Sequence, residues 1–469
     1  MKTKILLLVM AGISTFSFGQ ITFNYSNIDN NQSTANAANS VTTADFDGDG
    51  DIDVVGAAYQ ADIFSLYVND GAGSFTQQTI DNAPATANGA RFVTSMDLDE
   101  DGDMDVLATA STADVYVWYE NDGNGTFTTH LIDGSGLASE AYGIDAADFD
   151  QDGDLDIVGG ANAGDTVIVY ANDGDENFSI LIDLSGGAQT DGVRAIEAFD
   201  LDMDGDMDIL VAANSGDTYS WFENNGSGVF TNHIIDNTAV NTNGASQIMG
   251  ADIDGDSDMD IVVGSNLADT VLWYENDGSQ NFTAQIIDQT IYSNGPRGIA
   301  LADLEQDGDM DVFIAAITQD AFAWYENDGV GNFTPALISN DPINANGAFA
   351  ITTADINGDM VADIVTAANI ADAFSWFETE GVVLGNQENL AQQITLYPVP
   401  VSNILTLKLP SKLSVEGVSI YDGSGRIVFQ NKPDISKEIY LNLENLASGM
   451  YVLKASTNEG LLIQRILKD

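Results

Sequence analysis

One acidic stretch recurs seven times along this chain at an almost constant interval, and that regularity limits the fold more than any other feature. The first copy reads TADFDGDGDIDVVGAA from Thr43, with its leading aspartate at Asp45. The other copies lead with Asp97, Asp148, Asp200, Asp252, Asp303 and Asp355, at gaps of 51 or 52 residues. A period of this length marks a unit of supersecondary structure that buries its faces only by stacking on its neighbours.

Each unit carries a second signature about 20 residues further on, as in VWYENDGNGTFTTHLID from Val117, SWFENNGSGVFTNHIID from Ser220 and LWYENDGSQNFTAQIID from Leu272. Aromatic and β-branched residues around Asn-Asp-Gly or Asn-Asn-Gly predict two strands joined by a tight hairpin. One unit therefore parses as four short strands, which in the first copy are SVTTAD, DIDVVGAA, IFSLYVN and SFTQQTI. No segment has helical periodicity. Seven such units predict an all-β fold, a seven-bladed β-propeller.

The ends of the repeat region predict how the ring closes. The seventh unit reaches FSWFETEG (Phe374 to Gly381) but lacks the following FTxxxID strand. ITFNYSNID (Ile21 to Asp29) supplies a match, with Phe23 standing 22 residues before Asp45 as Phe230 stands 22 before Asp252. The first strand of the repeat region is expected to complete the last blade.

The acidic stretch has the pattern D-x-D-x-D-G-x-x-D. Carboxylates at positions 1, 3, 5 and 9 alternate as a tight loop requires to aim oxygens at one centre, and hard oxygen donors without His or Cys suit Ca²⁺. The candidate ligands are Asp45, Asp47, Asp49 and Asp53; Asp97, Asp99, Asp101 and Asp105; Asp148, Asp150, Asp152 and Asp156; Asp200, Asp202, Asp204 and Asp208; Asp252, Asp254, Asp256 and Asp260; Asp303, Glu305, Asp307 and Asp311; and Asp355, Asn357, Asp359 and Asp363. They would hold up to seven Ca²⁺ ions. Position 7 is Asp in six units and Val361 in the seventh, as expected of a ligand acting through its backbone carbonyl. Apolar residues at positions 2 and 8, such as Phe46 and Ile52, anchor the loop to a core. The plainer alternative, acidic turns without a metal, does not explain five aspartates in register. Ser257 and Met360 replace the position-6 glycine in the fifth and seventh loops, and the seventh, with Asn357, is expected to bind most weakly.

Charge divides the chain. Of 469 residues, 73 are acidic and 13 basic, for a net charge of -60. Residues 20–384 hold 65 acids and three bases, whereas residues 385–469 hold eight of each. Nucleic-acid binding is disfavoured by this balance. With 44% hydrophobic residues the chain still has the material for a large core. The opening MKTKILLLVMAGISTFSFGQ reads as a signal peptide over residues 1–19, too short to span a bilayer. The expected organisation is a signal peptide at 1–19, a propeller at 20–381, a linker at 382–393 and a small C-terminal β-sandwich domain at 394–469. No transmembrane segment is expected, and the absence of cysteine rules out disulfides.

DFDGDGDIDVV followed by YENDGxGxFT resembles the FG-GAP/VCBS repeats of bacterial surface proteins, related to the integrin alpha-subunit propeller. The resemblance implies a calcium-binding propeller with a role in adhesion or ligand binding. ITLYPVPVSNILTLKL, VSIYDGSGRIV and LNLENLASGMYVLKASTNEGLLIQRILKD resemble the C-terminal sorting domain of the type IX secretion system of Bacteroidetes. This implies handling by that secretion machinery and a secreted or outer-membrane cell-surface location.

Three functions follow as alternatives: a binding or adhesion module for an extracellular polysaccharide or protein, an extracellular polysaccharide lyase or hydrolase built on a propeller, or a passive surface scaffold. No catalytic residues are expected. His130 and His233 share one register in two units, and Trp118, Trp221, Trp273, Trp324 and Trp376 share another, so both sets belong to blade packing. An aspartate recurring from Asp62 to Asp372 reads as a turn residue. The three bases of the repeat region, Arg91, Arg194 and Arg297, each stand six residues before a loop's first aspartate, in alternate units, with Asn39, Tyr142, Ser246 and Phe349 at the same register in the others. Either each arginine pairs with a nearby aspartate, or the three arginines with Tyr142 form a ligand-binding rim at the channel end opposite the loops.

Overall fold

The computed structural model describes residues 21–174 and 177–381 and, between 395 and 468, chiefly the strands. The signal peptide and the linker expected from the sequence lie outside the described residues. The chain divides into two compact units, one spanning Phe23–Glu380 and one including Gly381–Asp469.

The first unit contains seven four-stranded antiparallel sheets, or blades. Blade 1 runs outward through Ala38–Ala44, Asp53–Ala58, Ile63–Asn69 and Phe75–Asp81. The innermost strands of blades 2 to 7 are Ala90–Met96, Ala141–Ala147, Val193–Phe199, Ala245–Ala251, Pro296–Ala302 and Ala348–Ala354. Each touches the innermost strands on either side of it, and that of blade 7 touches that of blade 1, so the ring is closed. All seven line one cavity of about 330 Å³, the central channel. The second strands are buried at all six positions, which is why they read as unbroken apolar runs after the loop aspartate.

The last blade is completed as the sequence predicts. Thr22–Asp29 pairs with Ala373–Glu380 as the outermost strand of the sheet that also contains Asp363–Ala368 and Ala348–Ala354. Phe23 meets Trp324 of blade 6 edge-on at 6.2 Å between ring centroids, and Tyr25 lies 5.8 Å from Phe377 within blade 7.

The recurring aspartate between second and third strands does more than turn the chain. Asp62, Asp114, Asp165, Asp217, Asp269, Asp320 and Asp372 sit in the left-handed region, with φ between 46° and 57°. Each carboxylate accepts a backbone N–H of the next blade at 2.7–3.0 Å, from Gly89 for Asp62 round to Ala37 for Asp372. Aspartate suits the position because it tolerates positive φ and carries the acceptor.

The second unit has a three-stranded sheet, Thr395–Tyr397, Ile404–Lys408 and Glu438–Asn442, and a four-stranded sheet ordered Ile427–Asn431, Val415–Tyr421, Gly449–Thr457 and Gly460–Lys468. Leu405, Leu407 and Leu441 of the first share a core with Val418, Ile420, Leu453 and Ile466 of the second, which makes a β-sandwich. Among the described residues no helix is long and apolar enough to cross a membrane.

Candidate functional site

Every acidic loop joins the end of an innermost strand to the start of the second strand, and two of its carboxylates fix its shape. The position-1 carboxylate accepts the backbone N–H of position 6 at 2.8–3.2 Å in all seven loops. The position-9 carboxylate, buried throughout, accepts the N–H of position 2 at 3.0–3.2 Å. Its other oxygen accepts the N–H of the hairpin residue 16 further on, Asn69 in blade 1 and Thr379 in blade 7, at 2.8–2.9 Å. The side-chain amides of Asn69, Asn121, Asn224 and Asn327 then reach the position-2 carbonyl of the preceding blade's loop at 2.7–2.8 Å. Loop, hairpin and neighbouring blade are thus tied together.

Two backbone positions in each loop are left-handed, not one. Position 6 has φ from 72° to 105°, and position 4 is also positive, at Gly48, Glu100, Gln151, Met203, Gly255, Gln306 and Gly358. Every loop has glycine at one of the two, so Ser257 and Met360 occur where position 4 is already glycine. The position-7 aspartates, from Asp51 to Asp309, lie against the hairpin glycines Gly71, Gly123, Gly174, Gly226, Gly278 and Gly329, where a Cβ would collide with them.

The loops bring carboxylate oxygens within 4.8 Å of one another at positions 1, 3 and 9 in blades 1, 3, 4 and 5 (Asp45, Asp47 and Asp53, for example), and at Asp97, Asp99 and Asp101 in blade 2. Position 5, expected as a ligand in every loop, joins the cluster only in blade 2, and in all seven loops its carboxylate accepts the backbone N–H of position 7. Blades 6 and 7 form no three-carboxylate cluster among the described residues. In blade 6, burial and the adjoining Asp311 hold Glu305 well above the usual carboxylate range, and in blade 7 position 3 is the neutral Asn357. Burial raises Asp53, Asp105 and Asp156 to about 6 and Asp208, Asp260 and Asp363 to about 7. Burial, with neighbouring carboxylates adding to it, also raises Asp47, Asp99, Asp150, Asp202 and Asp254. Asp97 Oδ1, Asp150 Oδ1 and Asp200 Oδ1 are buried without a hydrogen-bond donor. An all-oxygen donor set with inward, unpartnered carboxylate oxygens fits a hard divalent cation.

At the other end of the innermost strands the three arginines come together. A pit of about 40 Å³ at the channel mouth is lined by Arg91, Arg194 and Arg297 with Asn39, Tyr142, Ser246 and Phe349. The Arg91 guanidinium carbon stands 4.1 Å from the Tyr142 ring centroid and 5.4 Å from those of Tyr59 and Phe349, and its Nη2 donates to the Tyr142 hydroxyl. Arg194 faces Tyr142 at 5.6 Å and Arg297 faces Phe349 at 5.8 Å. The alternative in which each arginine pairs with an aspartate is not what the structure has: the ion pairs among the described residues join His130 to Glu120 and His233 to Glu223.

Deeper in the channel lie Asp145 and Glu197, which sequence reasoning passed over. Burial raises Asp145 to about 6, and burial with the Asp145 charge raises Glu197 to about 8. Asp145 accepts the Ala198 N–H at 2.9 Å and Glu197 the Gly250 N–H at 2.8 Å. A signal for them was present, since both stand three residues before a loop, where the other units carry Thr42, Thr94, Met249, Ala300 and Thr352.

Comparison with known proteins bears on both units. A family model described as an FG-GAP-like repeat matches residues 45–108, 97–159, 200–263, 252–314 and 306–366, more than half of the chain. The chain belongs to the FG-GAP-like repeat family. A second model, the secretion system C-terminal sorting domain, matches residues 395–469. The FG-GAP-like protein is therefore sorted by its tail to the cell surface or the extracellular space. It is 26% identical over 142 residues to an ulvan lyase of Nonlabens ulvanivorans, covering 28% of this chain and 26% of that protein, so the chain spans about a quarter of that relative's length. Solved structures similar to it include a protein from Lactobacillus plantarum (15% identity, TM-score 0.45, 64% of this chain and 84% of that one) and a putative 6-phosphogluconolactonase from Bacteroides uniformis (12%, 0.47, 64% and 86%).

The histidines of this FG-GAP-like protein are packing residues: His130 stacks on Trp118 at 4.4 Å and His233 on Trp221 at 4.7 Å, each bonded to the glutamate beside it. A second tie between blades was missed. Tyr67, Tyr119, Tyr170, Tyr274 and Tyr325 donate to Asp29, Asp81, Asp133, Asp236 and Asp288, which end the outermost strands of the preceding blades.

Proposed function

We propose that this exported propeller is a calcium-stabilised binding or adhesion module whose channel mouth engages an extracellular polysaccharide or protein, without catalysing a reaction. The observation that carries the reading is the contrast between the two ends of the innermost strands. At one end every blade repeats the same acidic loop, and Ca²⁺ held by Asp45, Asp47, Asp53 and their counterparts would offset carboxylate repulsion that otherwise opposes the closed ring. At the other end the blades differ, and cations, rings and amides gather in one pit. Variation on a uniform scaffold is where a ligand would be read. The test is a binding screen of the calcium-loaded protein against polysaccharides and extracellular proteins. Saturable binding supports the reading, and a screen without a ligand favours a passive scaffold.

A second reading, a polysaccharide-degrading enzyme, is favoured by the match to an ulvan lyase and by the Asp145–Glu197 pair, two carboxyls in one channel with separated proton affinities. Release of new chain ends from a bound polysaccharide, abolished by Glu197→Gln, would establish it; binding without release supports the module.

A further inference from the structure

We infer that the channel mouth holds one compact oxyanion, a carboxylate or sulfate group carried by an acidic glycan, between Arg91, Arg194 and Arg297. The glycan as its carrier rests on the proposed binding role, whereas the anion site does not. Residues 20–384 contain 65 acids and three bases, and all three bases converge on this pit. Like charges gathered in one place within so acidic a chain would be expected to attract carboxylates, yet no ion pair among the described residues involves them.

The guanidiniums are held by other means. The Tyr142 ring lies between Arg91 and Arg194, and the Phe349 ring between Arg91 and Arg297, so the five groups alternate cation and ring. Contact with a ring face satisfies the guanidinium plane and leaves its N–H edge free. Apart from Arg91 Nη2, which donates to the Tyr142 hydroxyl, donors on those edges find no acceptor in the protein: Arg91 Nε, Arg194 Nε and Nη1, and Arg297 Nε and Nη1 are buried without one. Several fixed donors around one pit match an oxyanion with two or more oxygens. A volume of about 40 Å³ admits such a group but not a sugar ring, which would lie outside the mouth. The pit is separated from the acidic loops by the length of an innermost strand, roughly 20 Å for six residues, so the anion would not share the loops' cations.

The experiment titrates the full calcium-loaded chain with sodium sulfate and with glucuronate against sodium chloride at equal ionic strength, following the thermal midpoint and heat of binding. Saturable binding of either anion is expected, weakened at least tenfold in Arg194→Gln/Arg297→Gln with the calcium-dependent melt unchanged. Equal anion binding by parent and variant, or none by the parent, overturns the inference. Should the variant not fold, arginine modification by phenylglyoxal decides on the parent: sulfate should protect Arg91, Arg194 and Arg297 and leave Arg426 and Arg465 unprotected, and no selective protection overturns the site. A glycan ligand bound equally by parent and variant defeats the oxyanion site but not the binding role; sulfate binding without any glycan ligand does the reverse.

Discussion

Asp53 and its counterparts show how much one side chain carries in this molecule. A single carboxylate starts the second strand, closes the loop before it, accepts from the hairpin beyond it and, in four blades, joins the acidic cluster. Position 3 is freer, and there the sign of a substitution is diagnostic. Asp202→Asn removes one of the crowded charges in blade 4, so in chelator it should stabilise the protein by up to about 1 kcal/mol, whereas in calcium it should lose one ion from the titrated stoichiometry and melt below the parent. Glu197 gives a prediction in pH. Its proton affinity is raised in the fold to about 8 from an ordinary 4.5, so the folded state holds the proton over that window and the unfolded chain does not. Stability then falls as pH rises from about 4.5 to about 8. Glu197→Gln should flatten this fall, with little change at pH 5 and a higher melting midpoint than the parent at pH 8 in calcium.

Among the elements, the loop backbone and the closing strand allow direct tests. Ser257 adopts φ 75° at position 6, where glycine is strain-free, so Ser257→Gly should raise stability by about 1 kcal/mol in urea denaturation. Deleting residues 21–29 should cost far more than trimming an ordinary terminus. It leaves Ala373–Glu380 as an unpaired edge and uncovers the rings of Trp324 and Phe377. A large drop in urea midpoint with self-association is expected, and an unchanged midpoint would contradict the closure. The four strands of each blade and the borrowed strand of the last were legible in the sequence because strand alternation, Asn-Asp-Gly hairpins and spacing are local signals. The ties between blades were not. Asp62 reaches Gly89, and Tyr119 reaches Asp81, across residues that nothing in the local pattern connects.

The propeller unit is a ring of similar blades in which each is held by the next, so a bond lost anywhere is lost from a closed circuit. The sequence located both ends of the channel: the acidic loops by their repeat, and the arginine mouth by register. It could not say whether the arginines were paired, because that depends on which side chains of alternate blades meet across the channel. Nor could it say that the position-5 carboxylate also accepts the N–H of position 7, since spacing alone does not show which backbone groups a loop turns inward. No disulfide is available to hold the loops, and any ion bound only by the folded ring must raise its melting temperature. The most direct measurement is thermal unfolding of the full chain with calcium and with chelator. A single cooperative transition of the propeller is expected, dropping by on the order of ten degrees or more, as several linked sites require, when calcium is removed and returning when it is restored; an identical midpoint in calcium and in chelator would overturn cation binding by the loops.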